Sequence, residues 1–289
     1  MTAAIKGLIL AGIDGSNFSN SVIDTAIWIS KQSQSPVKFL HTIEHSHHSD
    51  TPHHEGNLTP NMKEHLLEEL SDEERVESKQ LIADGKAILN NARDKAEQAG
   101  LTDIIAKQRH GSLPEALVDL ESELSMVVLG SKGEDHQGEK QGLGAQLEEA
   151  IRAIHTPVFI VKDEFSTPKK MMFAYNGSPT SKTALQLIAQ GHFCNQALDL
   201  HIVSVKSTLD DAQALIDEAT VVFEKEGVAI TTQALAGEAV DELTAYQQKN
   251  DIDVTAMGAF SHGKVHGFFF GSFTTRMLLE SNTNFLLIR

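Results

Sequence analysis

Apolar positions along the chain gather into short runs separated by stretches of helical period, and the second half repeats the arrangement of the first. Gly7 to Ile13 is an apolar run ending in Asp14-Gly15-Ser16, and Lys170 to Tyr175 is one ending in Asn176-Gly177-Ser178. Helix-period segments follow, Ser21 to Ser30 through Val22, Ala26 and Ile29, then Thr180 to Gly191 through Ala184, Leu187 and Ile188. Val37 to Ile43 matches Leu198 to Val205, each with a polar position near its end, His41 and Ser204. Gly111 to Leu117 matches Gly237 to Leu243, where a glycine ends a strand and a helix starts. Met126 to Gly130 matches Val254 to Gly258, and each half closes on a short strand, Pro157 to Lys162 and Asn284 to Arg289.

Short strands alternating with longer helices require parallel pairing through right-handed crossovers. The predicted class is α/β: two tandem doubly wound, mostly parallel five-stranded sheets with helices on both faces. The expected boundaries are 1–162 for the first domain, 163–169 for a polar linker containing Pro168, and 170–289 for the second. The last strands, Val158 to Val161 and Phe285 to Ile288, are expected to pair within the chain, making a pseudo-dimer of the halves and protecting sticky sheet edges. A homodimer between chains is left open. One insertion breaks the symmetry: Asp14 to Gly130 spans 116 positions and Asn176 to Gly258 only 82, so the first half carries about 34 extra residues. They fall after the second strand, near 44–65, and lead into a charged helical segment from Met62 to Gln98.

Composition narrows the function. Asp and Glu outnumber Lys and Arg by 40 to 24, giving a net charge of −16 with no basic block. Binding to nucleic acid or to an anionic membrane relies on clustered cations, so neither is an expected partner. A small anion is a different case, because backbone amides bind it without net positive charge. Cys194 is the single cysteine, which excludes an intramolecular disulfide and a thiolate-rich zinc site and fits a reducing, cytoplasmic setting. Ile5 to Gly12 is too short for a membrane span and lacks a signal-peptide pattern, and is expected to be the buried first strand.

Ligands of doubly wound sheets sit at the carboxyl ends of the strands where the strand order reverses. Asp14 and Asn176 stand at such ends. An adenine amino group would find an acceptor there, and the same Asp/Asn-Gly-Ser triplet also makes a turn that caps the next helix. No Gly-x4-Gly-Lys-Ser/Thr occurs anywhere, which excludes a P-loop motor.

With the Asp/Asn-Gly-Ser starts, Gly258-Ala259-Phe260-Ser261-His262, and Gly271-Ser272-Phe273-Thr274 at the last helix, the chain resembles the universal stress protein family in tandem form. The resemblance covers both halves outside the histidine-rich insertion. Nucleotide-binding members of that family carry G-x2-G-x9-G-[S/T] after a strand. Gly258 and Gly271 have this spacing and Ser272 supplies the hydroxyl, with Ser261 in place of the middle glycine. The resemblance implies a second-half site for ATP, with magnesium, formed by Asn176, Val205, Met257, Gly258, Ser261, Gly271, Ser272 and Phe273. Thr274 and Arg276 would continue the helix that points at the phosphates, and His262, Lys264 and His266 lie in the intervening loop.

The first half departs further. Asp14, Gly130 and Gly133 are kept, but Gly144 is displaced by one residue and followed by Ala145, and Glu148 and Glu149 stand in the first turns of the helix. Carboxylates there repel phosphate, so this half is a degenerate site expected to bind triphosphate weakly or not at all. The expected role is a stress-related regulatory protein that binds ATP mainly in its second domain, with hydrolysis absent or slow. Two alternatives stand beside it. One is a nucleotide-independent module for an unidentified protein partner. In the other, the first domain takes an apolar ligand or a metal, zinc foremost, at His45, His47, His48, His53 and His54. The apolar case draws on Leu66, Leu67, Leu70, Leu81, Ile82, Ile88 and Leu89 in the charged helix, where packing onto the domain is the simpler use.

Overall fold

The structure, a computed structural model, describes residues 7–43, 60–131, 145–191, 198–259 and 272–289, with the backbone alone at 60–75, 77 and 145. The first half runs β1 (Leu8–Gly12), α1 (Ser19–Ser33), β2 (Val37–Ile43), α2 (Pro60–Gln98), β3 (Ile104–His110), α3 (Leu113–Leu120), β4 (Leu124–Gly130), α4 (Ala145–Ala153) and β5 (Val158–Val161). The second repeats it with β6 (Lys170–Ala174), α5 (Pro179–Ala189), β7 (Asp199–Lys206), α6 (Leu209–Glu226), β8 (Thr231–Ala236), α7 (Ala239–Asn250), β9 (Val254–Gly258), α8 (Ser272–Glu280) and β10 (Asn284–Ile288).

The ten strands of the described residues form one sheet in the order β3-β2-β1-β4-β5-β10-β9-β6-β7-β8. Within each half every pairing is parallel, and the order is doubly wound, with its reversal between β1 and β4 and between β6 and β9. The halves meet where β5 and β10 pair antiparallel, Phe285 opposite Ile160, Leu286 opposite Phe159 and Leu287 opposite Val158. The two five-stranded units expected from the sequence are therefore continuous through their last strands.

Alternation along these strands feeds two apolar layers, one on each face. Phe159, Val161, Leu286 and Ile288 join the layer under α1, α2, α5 and α6, while Val158, Ile160, Phe285 and Leu287 join the layer under α3, α4, α7 and α8. A strand buried on both faces has to be apolar at every position, which is what the runs Val-Phe-Ile-Val and Phe-Leu-Leu-Ile supply.

Local sequence sets the helix starts. Ser112 and Glu115 form a reciprocal capping box at α3 behind Gly111, whose φ of 109° needs a glycine. Glu238 caps α7 through Val240 N and Asp241 N, and Thr208 caps α6 through Asp211 N. The extra length of the first half lies in large part in α2, 39 residues against 18 in α6. Leu89, Ala92 and Ala96 bury in the core and Ile88 packs against it, whereas Leu81 is 40% exposed. Side chains of Leu66, Leu67 and Leu70 are outside the described residues, as is the histidine-rich stretch. Among the described residues no helix is long and apolar enough to cross a membrane.

Phe285 is fully buried beside the seam. Phe285→Ala is expected to destabilise the chain by about 3–5 kcal/mol, read from denaturant unfolding; a loss under about 1 kcal/mol would mean the seam tolerates a void.

Candidate functional site

The strand order reverses between β6 and β9, and Asn176, Val205, Met257 and Gly258 stand at or near the carboxyl ends of β6, β7 and β9. After β6, Tyr175 is buried and Asn176 turns the chain: its Oδ1 accepts from Ser178 N at 3.0 Å, Gly177 takes φ 78°, and Ser178 caps α5 through Ser181 N at 3.2 Å. The first half makes the same turn. Asp14 Oδ1 accepts from Ser16 N at 2.9 Å and from the Ser19 hydroxyl at 3.1 Å, with Gly15 at φ 85°. In both halves the side-chain oxygen works within the turn, the second of the two uses open to this triplet.

Gly258 ends β9 against the start of α5. A Cβ there would lie 2.8 Å from Ser181 N and 2.9 Å from Ser181 Cα, and backbone cannot yield as a flexible side chain can. Glycine at this point lets strand and helix close up, which holds the Asn176 turn against β9. Met257 is 2% exposed, and Val205 and Phe273 pack on the same apolar cluster, so these three converge on the α7 and α8 side of the sheet. Ser272 opens α8 and is exposed, Thr274 is buried, and the first turn of α8 carries no acidic residue. Ser261, Gly271, His262, Lys264 and His266 lie outside the described residues.

Arg276 continues α8, as expected, and its side chain turns toward carboxylates. Its guanidinium lies 3.2 Å from Glu238 Oε1, 3.1 Å from Glu280 Oε1 and 3.8 Å from Asp241 Oδ1. Glu280 first, then Glu238 and Asp241, raise its pKa further. The cation ties α8 to the capped start of α7 and is paired with carboxylates there.

Beneath the Asn176 turn, the Tyr175 hydroxyl donates to Glu218 Oε1 at 2.8 Å, and Lys182 Nζ is 2.8 Å from the same oxygen. Burial, then the Glu218 partner, pushes the phenol well above the usual tyrosine range. Lys182, then Tyr175, holds the Glu218 carboxyl below the usual carboxylate range. This cluster fastens α5 to α6 behind the turn.

In the first half, Gly130 ends β4 opposite Val161, and Gly133 and Gly144 lie outside the described residues. Glu148 stands in the first turn of α4 and pairs with Arg152 one turn on. Sequence reasoning missed a further difference between the halves. Ile88 sits over Gly15 as Leu215 sits over Gly177, so Gly85 and Ala212, three residues earlier on each helix, are equivalent. A Cβ on Gly85 would meet Gln108 Nε2 at 2.1 Å and the His41 ring at 2.4 Å; the matching strand positions, Ala234 and Ser204, are small. His41 Nδ1 donates to Ile13 O at 2.9 Å, whereas the buried Ser204 hydroxyl has no hydrogen-bond partner among the described residues. The signal was in the sequence as an isolated glycine inside a helical pattern. Among the described residues no group of three or more His, Cys, Asp or Glu could hold a metal; His45, His47, His48, His53 and His54 are outside them.

The fold defines a tandem doubly wound α/β protein with one strand-order reversal per half. The chain belongs to the universal stress protein family, whose profile matches residues 8–162 and again 167–289. A universal stress protein of Synechocystis sp. is 30% identical over 285 residues, covering 97% of this chain and 99% of that one. Among solved structures, a universal stress protein from Archaeoglobus fulgidus superposes with a TM-score of 0.70 at 20% identity, covering 98% of each chain. A functionally unknown protein from Pseudomonas aeruginosa reaches 0.61 at 15% identity, covering 100% of this chain and 94% of that one.

Two outcomes follow from this geometry. Gly258→Ala is expected to cost about 1–3 kcal/mol by forcing β9 and α5 apart, measured by denaturant unfolding; a neutral result would mean the approach is not close. Glu218, with its pKa lowered in the folded state, contributes stability that is complete above its unfolded pKa and lost as pH falls through the folded one. Unfolding measured across that acid range is expected to show a shallower pH dependence for Glu218→Gln than for the unaltered chain, and equal slopes would remove the carboxylate's role.

Proposed function

We propose that this protein is a stress-related regulator that binds ATP, with magnesium carried on the phosphates, mainly in its second half. Family membership supports the stress-related role. One contrast carries the choice of half: the first turn of α8 has no acidic side chain, while the first turn of α4 holds Glu148. A helix start attracts anions through its free amides and its dipole, and a carboxylate already there opposes a phosphate. Ser272 would add a hydroxyl donor, Phe273, Met257 and Val205 an apolar flank, and Gly258 the fixed distance between β9 and the Asn176 turn. Hydrolysis is expected to be slow, since phosphoryl transfer would rest on positioning and on the metal ion.

Calorimetric titration of the intact protein with ATP and magnesium tests the reading. One site per chain is expected, lost in Gly271→Asp and kept in Gly144→Asp. No heat at millimolar ATP would exclude it.

A second reading draws on the turn itself. Asn176 Oδ1 is engaged by Ser178 N, and Met257 is buried. Both suit a scaffold that docks a protein partner without nucleotide. Protein released from cells with bound adenine nucleotide supports the first reading; nucleotide-free protein whose partner binding ignores ATP supports the second.

A further inference from the structure

Each half ends in a cation, and each cation reaches into the other half. Lys162, directly after β5, donates from Nζ to Leu278 O and Ser281 O at the end of α8. Arg289, directly after β10, donates from Nη1 to Ile154 O, to Arg152 O at 3.1 Å and to Ile151 O at 3.3 Å at the end of α4. The contacts are equivalent. Leu278 and Ser281 lie eleven and eight positions ahead of Arg289, as Ile151 and Ile154 lie ahead of Lys162. The antiparallel seam produces the exchange, because it carries each strand end under the last helix of the opposite half.

The last carbonyls of a helix have no partner within it and form the negative end of its dipole, so a cation placed there satisfies both. Lys162 is held for this task. Its backbone N donates to Asn284 Oδ1 at 2.9 Å, and its ammonium lies 5.7 Å from the Phe285 ring centroid. Ser281, whose carbonyl it takes, also donates its hydroxyl to Gln247 Oε1 at 2.8 Å; Gln247 Nε2 donates to Thr255 Oγ1 at 2.7 Å. The end of α8 is thus fixed to α7 and β9 by its own half, and to the first half by Lys162. With nine residues, α8 spans only about 13 Å, so fixing its end fixes its start.

The geometry points to Lys162 as a positioning residue that the first half supplies to α8, the helix whose start forms the second half's candidate site. The first half thereby acts on that site from behind, through the end of α8 rather than through its own degenerate site. The link to nucleotide rests on the function proposed above; the hold on α8 does not.

Hydrogen exchange on the full chain, with ATP titration alongside, tests it. Lys162→Met is expected to raise exchange in 272–281 about tenfold relative to α5 and α6 and to weaken ATP binding, with Lys162→Arg restoring both. Arg289→Met is expected to raise exchange in 145–154 and leave ATP affinity unchanged. An even rise across both halves, no change in α8, or unchanged ATP affinity despite a loosened α8 overturns the inference. Should the unaltered chain bind no ATP, the proposed function falls and the exchange pattern alone decides whether Lys162 holds α8. If Lys162→Met does not accumulate folded, Lys162→Gln gives the graded test: a partial rise in α8 supports the hold and none refutes it.

Discussion

The antiparallel pairing of β5 with β10 is the constraint on which the rest of the molecule depends. Apart from Asn284 at the start of β10, both strands are apolar at every position, so each needs helices on two faces and a neighbour on each side. Neither half alone supplies a partner for the outer side of its last strand. Joined, they leave β3 and β8 as the edges among the described strands, and these are the strands with the most exposed positions. The same junction sets the relation between the final helices of the two halves, since the strand ends that cross it carry Lys162 and Arg289 beneath the opposite ones.

Duplication has left the halves alike in backbone and different in chemistry. Both turn after the first strand through an Asx-type hydrogen bond and a left-handed glycine, and both lay a helix over that glycine. Beneath that helix the volumes are exchanged: Gly85 above His41 and Gln108 in one half, Ala212 with Ser204 and Ala234 in the other. At the starts of the final helices the difference is one of charge. Glu148 enters the first turn of α4 and binds Arg152, while α8 keeps its first turn free of acid and sends Arg276 sideways to Glu238 and Glu280.

Much of the fold was legible because it depends on local pattern. The runs ending at Gly12, Gly130, Ala174 and Gly258 became strands, the glycines at 111 and 237 ended strands and preceded capped helices, and the terminal apolar runs met as expected. The candidate site was legible only in part. Its glycines and its Asn-Gly-Ser turn are sequence features, and so was the carboxylate that separates α4 from α8. The use of Gly258 was not legible, since its neighbour, the backbone of Ser181, is brought there by the closure of α5 onto β9. Nor was the direction of Arg276, a long side chain with acidic groups on two helices within reach.

Sequence by itself determined the repeat, the order of strands and helices, the net negative charge, and the apolar ends that had to pair. Those follow from periodicity and from the cost of leaving apolar strands in water, which act along the chain. Tertiary structure decided which polar groups meet. Lys162 and Leu278 lie 116 positions apart, and nothing local selects them for each other. Their contact exists because an antiparallel seam runs each strand past its partner's start and brings its terminal cation to a helix end whose carbonyls lack any other donor from within the helix.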